Sequence, residues 1–194
     1  MHGKRLTRAA QLLLIAAVAL GSTRAGAEQG YGGVLAEGWR VGLGAGTVEL
    51  PDGTEAGRAV TASLGLGARI VTDQGARWDF EVGLAHTEST SQPRDADGGR
   101  VPLRQTDLHY TARRLVGGSP WFAGWRAALS RLSLRPERSA STRDLTYALG
   151  LVGGWLADGG YGVQLEAQLT EPTPDGLGLE AEVHQYRLQL LLAF

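Results

Sequence analysis

The sequence contains no cysteine. That absence excludes a structural disulfide, a thiol nucleophile, a cysteine zinc site and a lipid anchor on cysteine. There is one lysine, Lys4, so beyond the N-terminus every lasting positive charge is an arginine. Arginine is the cation suited to multidentate pairing with carboxylates in confined places. After residue 27 the chain shows no amphipathic helix, no linker and no long-period repeat. The histidines are scattered without ligand spacing, so neither a metal nor a cofactor is expected. Gly44-Ala45-Gly46 lies inside a strand-like stretch, not between a strand and a helix, which argues against a nucleotide loop.

The N-terminus reads as a secretory signal peptide over residues 1–27. Lys4, Arg5 and Arg8 form its basic region, Leu12 to Leu20 its short apolar core, and Ala25-Gly26-Ala27 its small-residue cleavage site. The core is too short for a retained transmembrane helix. Cleavage after Ala27 leaves 167 residues, enough for one domain. It also leaves 15 basic residues against 20 acidic ones, a net charge of −5. No general attraction to nucleic acid is expected from that balance. Residues 28–36 read as a short periplasmic segment and residues 37–194 as the folded domain.

The domain is built from period-two alternation, the signature of strands. Eight are predicted, at about 39–48, 60–70, 78–85, 107–113, 121–130, 145–155, 161–170 and 183–194. In the last, Tyr186, Leu188, Leu190, Leu192 and Phe194 share one face, while Gln185, Arg187 and Gln189 lie on the other. The second strand sets Val60, Leu64, Leu66 and Ile70 against Thr61, Ser63, Gly65, Gly67 and Arg69. Long polar connections alternate with short ones such as Val116-Gly117-Gly118-Ser119 and Ala157-Asp158-Gly159-Gly160. Long outside loops and short periplasmic turns on an even number of strands suit an outer-membrane barrel.

Alternation alone also fits a soluble, lipocalin-like barrel with the apolar face inward. Three features favour lipid on that face. Charges sit on the polar face beside many glycines, which leave room in a narrow lumen for long arginines. Aromatic residues Trp39, Trp78, Trp121, Trp155, Tyr161 and Phe194 collect at one end on the apolar face, where a ring can meet both lipid and water. The strands run about 9–11 residues, enough to span a bilayer when tilted.

The final strand, ending in Phe194 with apolar residues at alternating positions before it, resembles the C-terminal signature of bacterial outer-membrane barrels. The domain as a whole resembles the small eight-stranded barrels of the OmpA transmembrane domain and the OmpX/Ail group. The resemblance is one of architecture. It implies an all-β, antiparallel, up-and-down transmembrane barrel in the cell outer membrane of a Gram-negative envelope. The implied partners are outer-membrane lipid, lipopolysaccharide and, through the C-terminal strand, the assembly machinery; a monomer is expected. Full-length OmpA continues beyond its barrel, and no peptidoglycan-binding domain is expected here.

The candidate functional constellation is a polar lumen network. It comprises Arg40, Arg69, Asp79, Glu81, Asp107, Arg113, Arg126, Gln164, Glu166, Gln168, Arg187 and Gln189. Buried charges are costly unless paired, so these groups should pair into a plug. A narrow gated channel, with ion pairs switching partners, is the alternative. A lipid A-modifying hydrolase ranks third. The lipid A 3-O-deacylases use a His-x-Ser pair, and His86-Thr87-Glu88, His109-Tyr110-Thr111 and His184-Gln185-Tyr186 lack that serine. His86 and Glu88, followed by Ser89 and Ser91, are the nearest approach to a His/Glu/Ser site. Palmitoyltransferase barrels carry an amphipathic N-terminal helix that is absent here. No catalytic residue is expected. In the outer loops Arg94, Arg100, Arg104, Arg135, Arg138 and Arg143 mix with Asp95, Asp97, Glu137 and Asp144. They form a charged surface on which arginines suit lipopolysaccharide phosphates.

Overall fold

The computed structural model describes residues 33–50, 55–72, 74–94, 98–134, 142–171 and 183–194. The signal peptide therefore lies outside the described residues, as do Asp95, Asp97, Arg135, Glu137 and Arg138 of the loops. The side chains of Arg143 and Asp144 are likewise not described.

Eight strands run in order: β1 (Gly33–Glu49), β2 (Gly57–Val71), β3 (Arg77–Ser91), β4 (Leu103–Leu115), β5 (Trp121–Leu134), β6 (Thr142–Leu156), β7 (Tyr161–Thr170) and β8 (Val183–Ala193). Each pairs antiparallel with the next, and β1 pairs antiparallel with β8, which closes the barrel. The closing seam runs from Arg40 opposite Ala193 to Glu49 opposite His184. The Phe194 N–H donates to the Trp39 carbonyl at 3.0 Å, so the terminal residue is held in the seam. Along these paired lengths the closed sheet has no free edge.

Turn chemistry sets one end. In the β4–β5 connection the Ser119 N–H donates to the Val116 carbonyl at 2.9 Å, with Gly117 (φ 53°) and Gly118 (φ 77°) between them. Two consecutive left-handed residues make a type I′ turn, whose twist matches the flanking strands and which only small residues tolerate easily. The short connections β2–β3, β4–β5 and β6–β7 define a turn end, which β1 and β8 share through the seam. The longer connections define the opposite, loop end.

The faces are inverted relative to a water-soluble barrel. Leu66, Leu84, Leu149, Leu165 and Leu190 point outward and are more than half exposed, and Leu151 reaches 72%. On alternate residues of the same strands, Asp79 and Gln164 are 0% exposed. The outward apolar belt has limits. Along β5 it covers Trp121 to Leu129, then gives way to Arg131 and Ser133. On β3 it covers Trp78 to Leu84, then gives way to His86 and Glu88.

Strands β1 to β6 run 13 to 17 residues, longer than the 9–11 expected, whereas β7 and β8 keep to it at 10 and 11. The excess has a physical reason. The belt alone has the expected depth, and the strands project past it at the loop end, where both faces change character. Hence β3 continues to Ser91, taking in Ser89 and Ser91 that were expected in a loop. Strand β1 starts at Gly33, so residues 33–36, expected in the N-terminal segment, are paired with β2.

Candidate functional site

Every residue expected in the lumen network is buried inside the barrel. The structure brings them together in two linked groups. The first centres on β3. Arg40 donates to Asp79 at 3.1 Å, and Arg69 lies 3.8 Å from the same carboxylate. Arg113 forks across β3, donating to Asp79 at 2.9 Å and to Glu81 at 2.8 Å. Its Nε crosses the lumen to donate to Gln164 on β7 at 2.8 Å. The second group centres on β7. Glu166 accepts from Arg187 at 2.5 Å and lies 3.5 Å from Arg126, which also reaches Asp107 at 3.5 Å. Arg187 continues to Gln168 and, across the lumen, to Thr87 at 3.1 Å. Gln164 and Gln189 both bond to Glu166, so Gln164 links the two groups.

Glycine makes room for part of this network. A Cβ on Gly67 would stand 2.8 Å from Nε of Arg40, and one on Gly83 would stand 3.0 Å from the His109 ring. Those distances are too close for carbon, so Arg40 and His109 lean over neighbouring strands that must be bare at those positions.

Several members were not anticipated. His109 shares the Asp107 face, and its Nε2 is 3.0 Å from Glu81. Ser130 and Gln105 each donate to Asp107 at 2.7 Å, and Gln185 donates across the lumen to Gln105 at 2.5 Å. Thr61 and Thr87 hydroxyls lie 2.9 Å apart. At the turn end Asp158 pairs with Arg69 at 3.3 Å and Arg77 at 3.1 Å. The β6–β7 turn is thereby tied to β2 and β3 on the opposite wall. Parity already placed Thr61, His109, Ser130 and Gln185 on the inward face, whereas Thr87 and Gln105 lay outside the expected strands; the partners of all of them, and the pairing of Asp158 across the mouth, needed the closed barrel.

The lumen is polar only in its middle. Val48, Leu50, Ala59, Val101, Leu103, Leu132, Leu134 and Val183 form a buried apolar layer at the loop end. Leu115, Phe122, Val152 and Leu156 form another at the turn end. The Arg113 guanidinium rests 5.8 Å from the Phe122 ring centre, where the charged layer meets the lower apolar one. The cavity beside Arg40, Asp79 and Arg113 measures about 10 Å³, room for about one water.

The six expected girdle residues occupy the turn end. Trp121 pairs in register with Trp155, and Trp155 packs edge-on against Tyr161 at 5.5 Å. Outward aromatics also lie elsewhere, so they are not confined to that rim. Phe80, Tyr110 and Trp125 continue from Trp78 toward mid-barrel, and Tyr147 and Tyr186 lie nearer the loop end.

The His86 and Glu88 side chains are committed elsewhere. His86 Nδ1 is 3.0 Å from the Thr106 hydroxyl, Arg104 donates to Glu88 at 2.9 Å, and Ser89 accepts from the Leu103 N–H at 2.9 Å. Among the described residues no group of three or more His, Asp or Glu could hold a metal ion.

No protein-family model matches the chain, and no curated protein matches it. Solved structures do. Neisserial surface protein A matches with a TM-score of 0.51 at 12% identity, over 86% of this chain and 100% of that one. Ail of Yersinia pestis, solved with the heparin analogue sucrose octasulfate, matches with a TM-score of 0.50 at 8% identity, over 81% of this chain and 97% of that one. The fold is that of the small eight-stranded outer-membrane barrels. At these identities the likeness carries the fold and not the activity.

Proposed function

We propose that this protein is an integral outer-membrane barrel with a closed lumen, serving a structural or surface-interaction role through its loop end. The observation that carries the reading is the inversion of faces. An outward belt composed mainly of leucine and aromatic side chains would be costly in water and is favourable in lipid. Its depth along β5 matches the hydrocarbon core for a tilted strand. The turn end then faces the periplasm and the loop end the cell exterior, as expected when the N-terminal signal directs export.

The two apolar layers support a plug over a channel. An ion would have to cross the upper layer, the cross-linked charges and the lower layer in turn. The commitments of His86, Glu88 and Ser89 to other partners favour a non-catalytic barrel over a lipid A hydrolase. The exposed loop-end arginines, Arg58 and Arg131 among them, suit phosphate or sulfate on lipopolysaccharide or another surface polyanion.

Refolding into phosphatidylcholine vesicles tests the location, with heat-modifiable electrophoretic migration as the readout. A mature protein that stays soluble without detergent would overturn it. Planar-bilayer recording tests the plug: no steady conductance is expected, and a steady one would establish the channel instead. Lipid A mass spectrometry with and without the protein should show no acyl-chain change.

A further inference from the structure

The outer wall at the turn end carries a cavity that neither the plug nor the loops explain. It lies beside the β2–β3 and β4–β5 turns and measures about 530 Å³. Arg114, Val116, Ala123 and the glycines Gly75, Gly117 and Gly118 line it. Arg114 pairs in register with Trp78 on one side and Ala123 on the other, and Ala123 pairs with Gly153. One outward row therefore holds an aromatic ring, a cation and two positions without bulk. In the next row, Ala112 faces outward between Phe80 and Trp125 yet is almost fully buried, because the flanking rings cover it. The rings form a continuous run: Trp78 to Phe80 at 5.8 Å, Phe80 to Tyr110 at 6.1 Å, and Tyr110 to Trp125 at 5.3 Å.

Arg114 is the chemical centre. Its guanidinium sits 5.9 Å from the Trp78 ring centre, which orients it along the wall. It is exposed, and among the described residues no carboxylate pairs with it. Arg77, the other cation at the cavity, is already engaged by Asp158. An outward arginine at headgroup depth, with no acidic partner among the described residues, is suited to a phosphodiester.

We propose that this cavity binds an anionic glycerophospholipid, phosphatidylglycerol, from the inner leaflet; the inference rests on the membrane placement given above. Arg114 takes the phosphodiester. One acyl chain lies over the shallow floor of Ala123 and Gly153, between Trp121 and Trp125. Among the described residues no carboxylate stands beside Arg114 to pair the ammonium group of an ethanolamine headgroup, which favours glycerol.

All five tryptophans face outward, most of them at the turn end, so their fluorescence reports on this region. The protein is folded into phosphatidylcholine vesicles, and quenching by dibrominated phosphatidylglycerol is compared with quenching by dibrominated phosphatidylcholine. Phosphatidylglycerol is expected to associate about tenfold more tightly, because its phosphodiester charge is not cancelled by a tethered ammonium as it is in phosphatidylcholine. Arg114→Gln should abolish that preference, and Ala123→Leu should do the same by filling the floor. Leu190→Val, on the far wall of the barrel, should leave it unchanged. Equal quenching by the two lipids, or a preference that survives both Arg114→Gln and Ala123→Leu, overturns the site. Protein that remains outside the vesicles on flotation, quenched by neither lipid, overturns the membrane placement and removes this site with it.

Discussion

The two faces of the barrel share every strand and obey opposite rules. Outside, the contacts are apolar and largely interchangeable: Leu149, Leu151, Leu165 and Leu190 each present a side chain to the surroundings and few to one another. Inside, each charge depends on particular partners, as Arg113 does on Asp79, Glu81 and Gln164 at once. In the proposed lipid setting the outer face should tolerate exchange of one apolar residue for another, because lipid is a fluid partner. The inner face does not, because a buried charge deprived of its partner has no solvent to replace it.

The sharpest test of that contrast is Arg113→Met. It leaves two buried carboxylates short of their main partner and should destabilise the folded barrel by about 3–5 kcal/mol. Urea unfolding in vesicles, followed by loss of the heat-modifiable form, measures it. A cost under about 1 kcal/mol would mean that the lumen charges are paired less tightly than the distances indicate.

Leu165→Arg probes the other face at mid-belt. It should cost about 2–4 kcal/mol if lipid surrounds that position, whereas Leu165→Val should cost little. If arginine there is as well tolerated as valine in the same unfolding assay, the outward face meets water.

Thr61→Val removes one hydroxyl from the lumen and keeps the shape. Thr87 retains its bond from Arg187, so the expected loss is only about 1 kcal/mol. This change separates the value of a single neutral contact from that of the ion network.

The smallest effect belongs to the exposed loop-end pair of Arg104 and Glu88, 2.8 Å apart. Arg104→Gln should cost at most about 1 kcal/mol. That cost should fade as salt is raised, whereas the effect of Arg113→Met should persist. Unfolding curves at low and high salt compare the two.

Much of this contrast was legible before any coordinates. Parity alone assigned Arg40, Arg69, Asp79, Glu81 and Arg187 to one face, because a strand alternates strictly. The same parity already held Phe122 and Val152 on the polar face. Their meaning as part of an apolar layer emerged only once Leu115 and Leu156 stood beside them in the closed barrel. His109 was readable as a lumen residue from its spacing to Asp107 and Arg113, yet its bond to Glu81 required the β3–β4 register. Strand ends were the least legible part. Past the belt, the outward side chains become polar, and alternation no longer marks where pairing stops.

The sequence by itself determined the period, the faces and the number of strands, because backbone geometry turns each successive side chain to the opposite side. It also determined that the cations inside would be arginines, since no lysine lies beyond Lys4. Only the tertiary structure decided which arginine meets which carboxylate. Arg113 reaches β7 and Arg187 reaches β3 because closing the sheet brings opposite walls within a side chain's length. No local rule of sequence encodes that distance. The apolar layers above and below the charges arise in the same way, from residues far apart in the chain that reach equal heights only when register and closure are set.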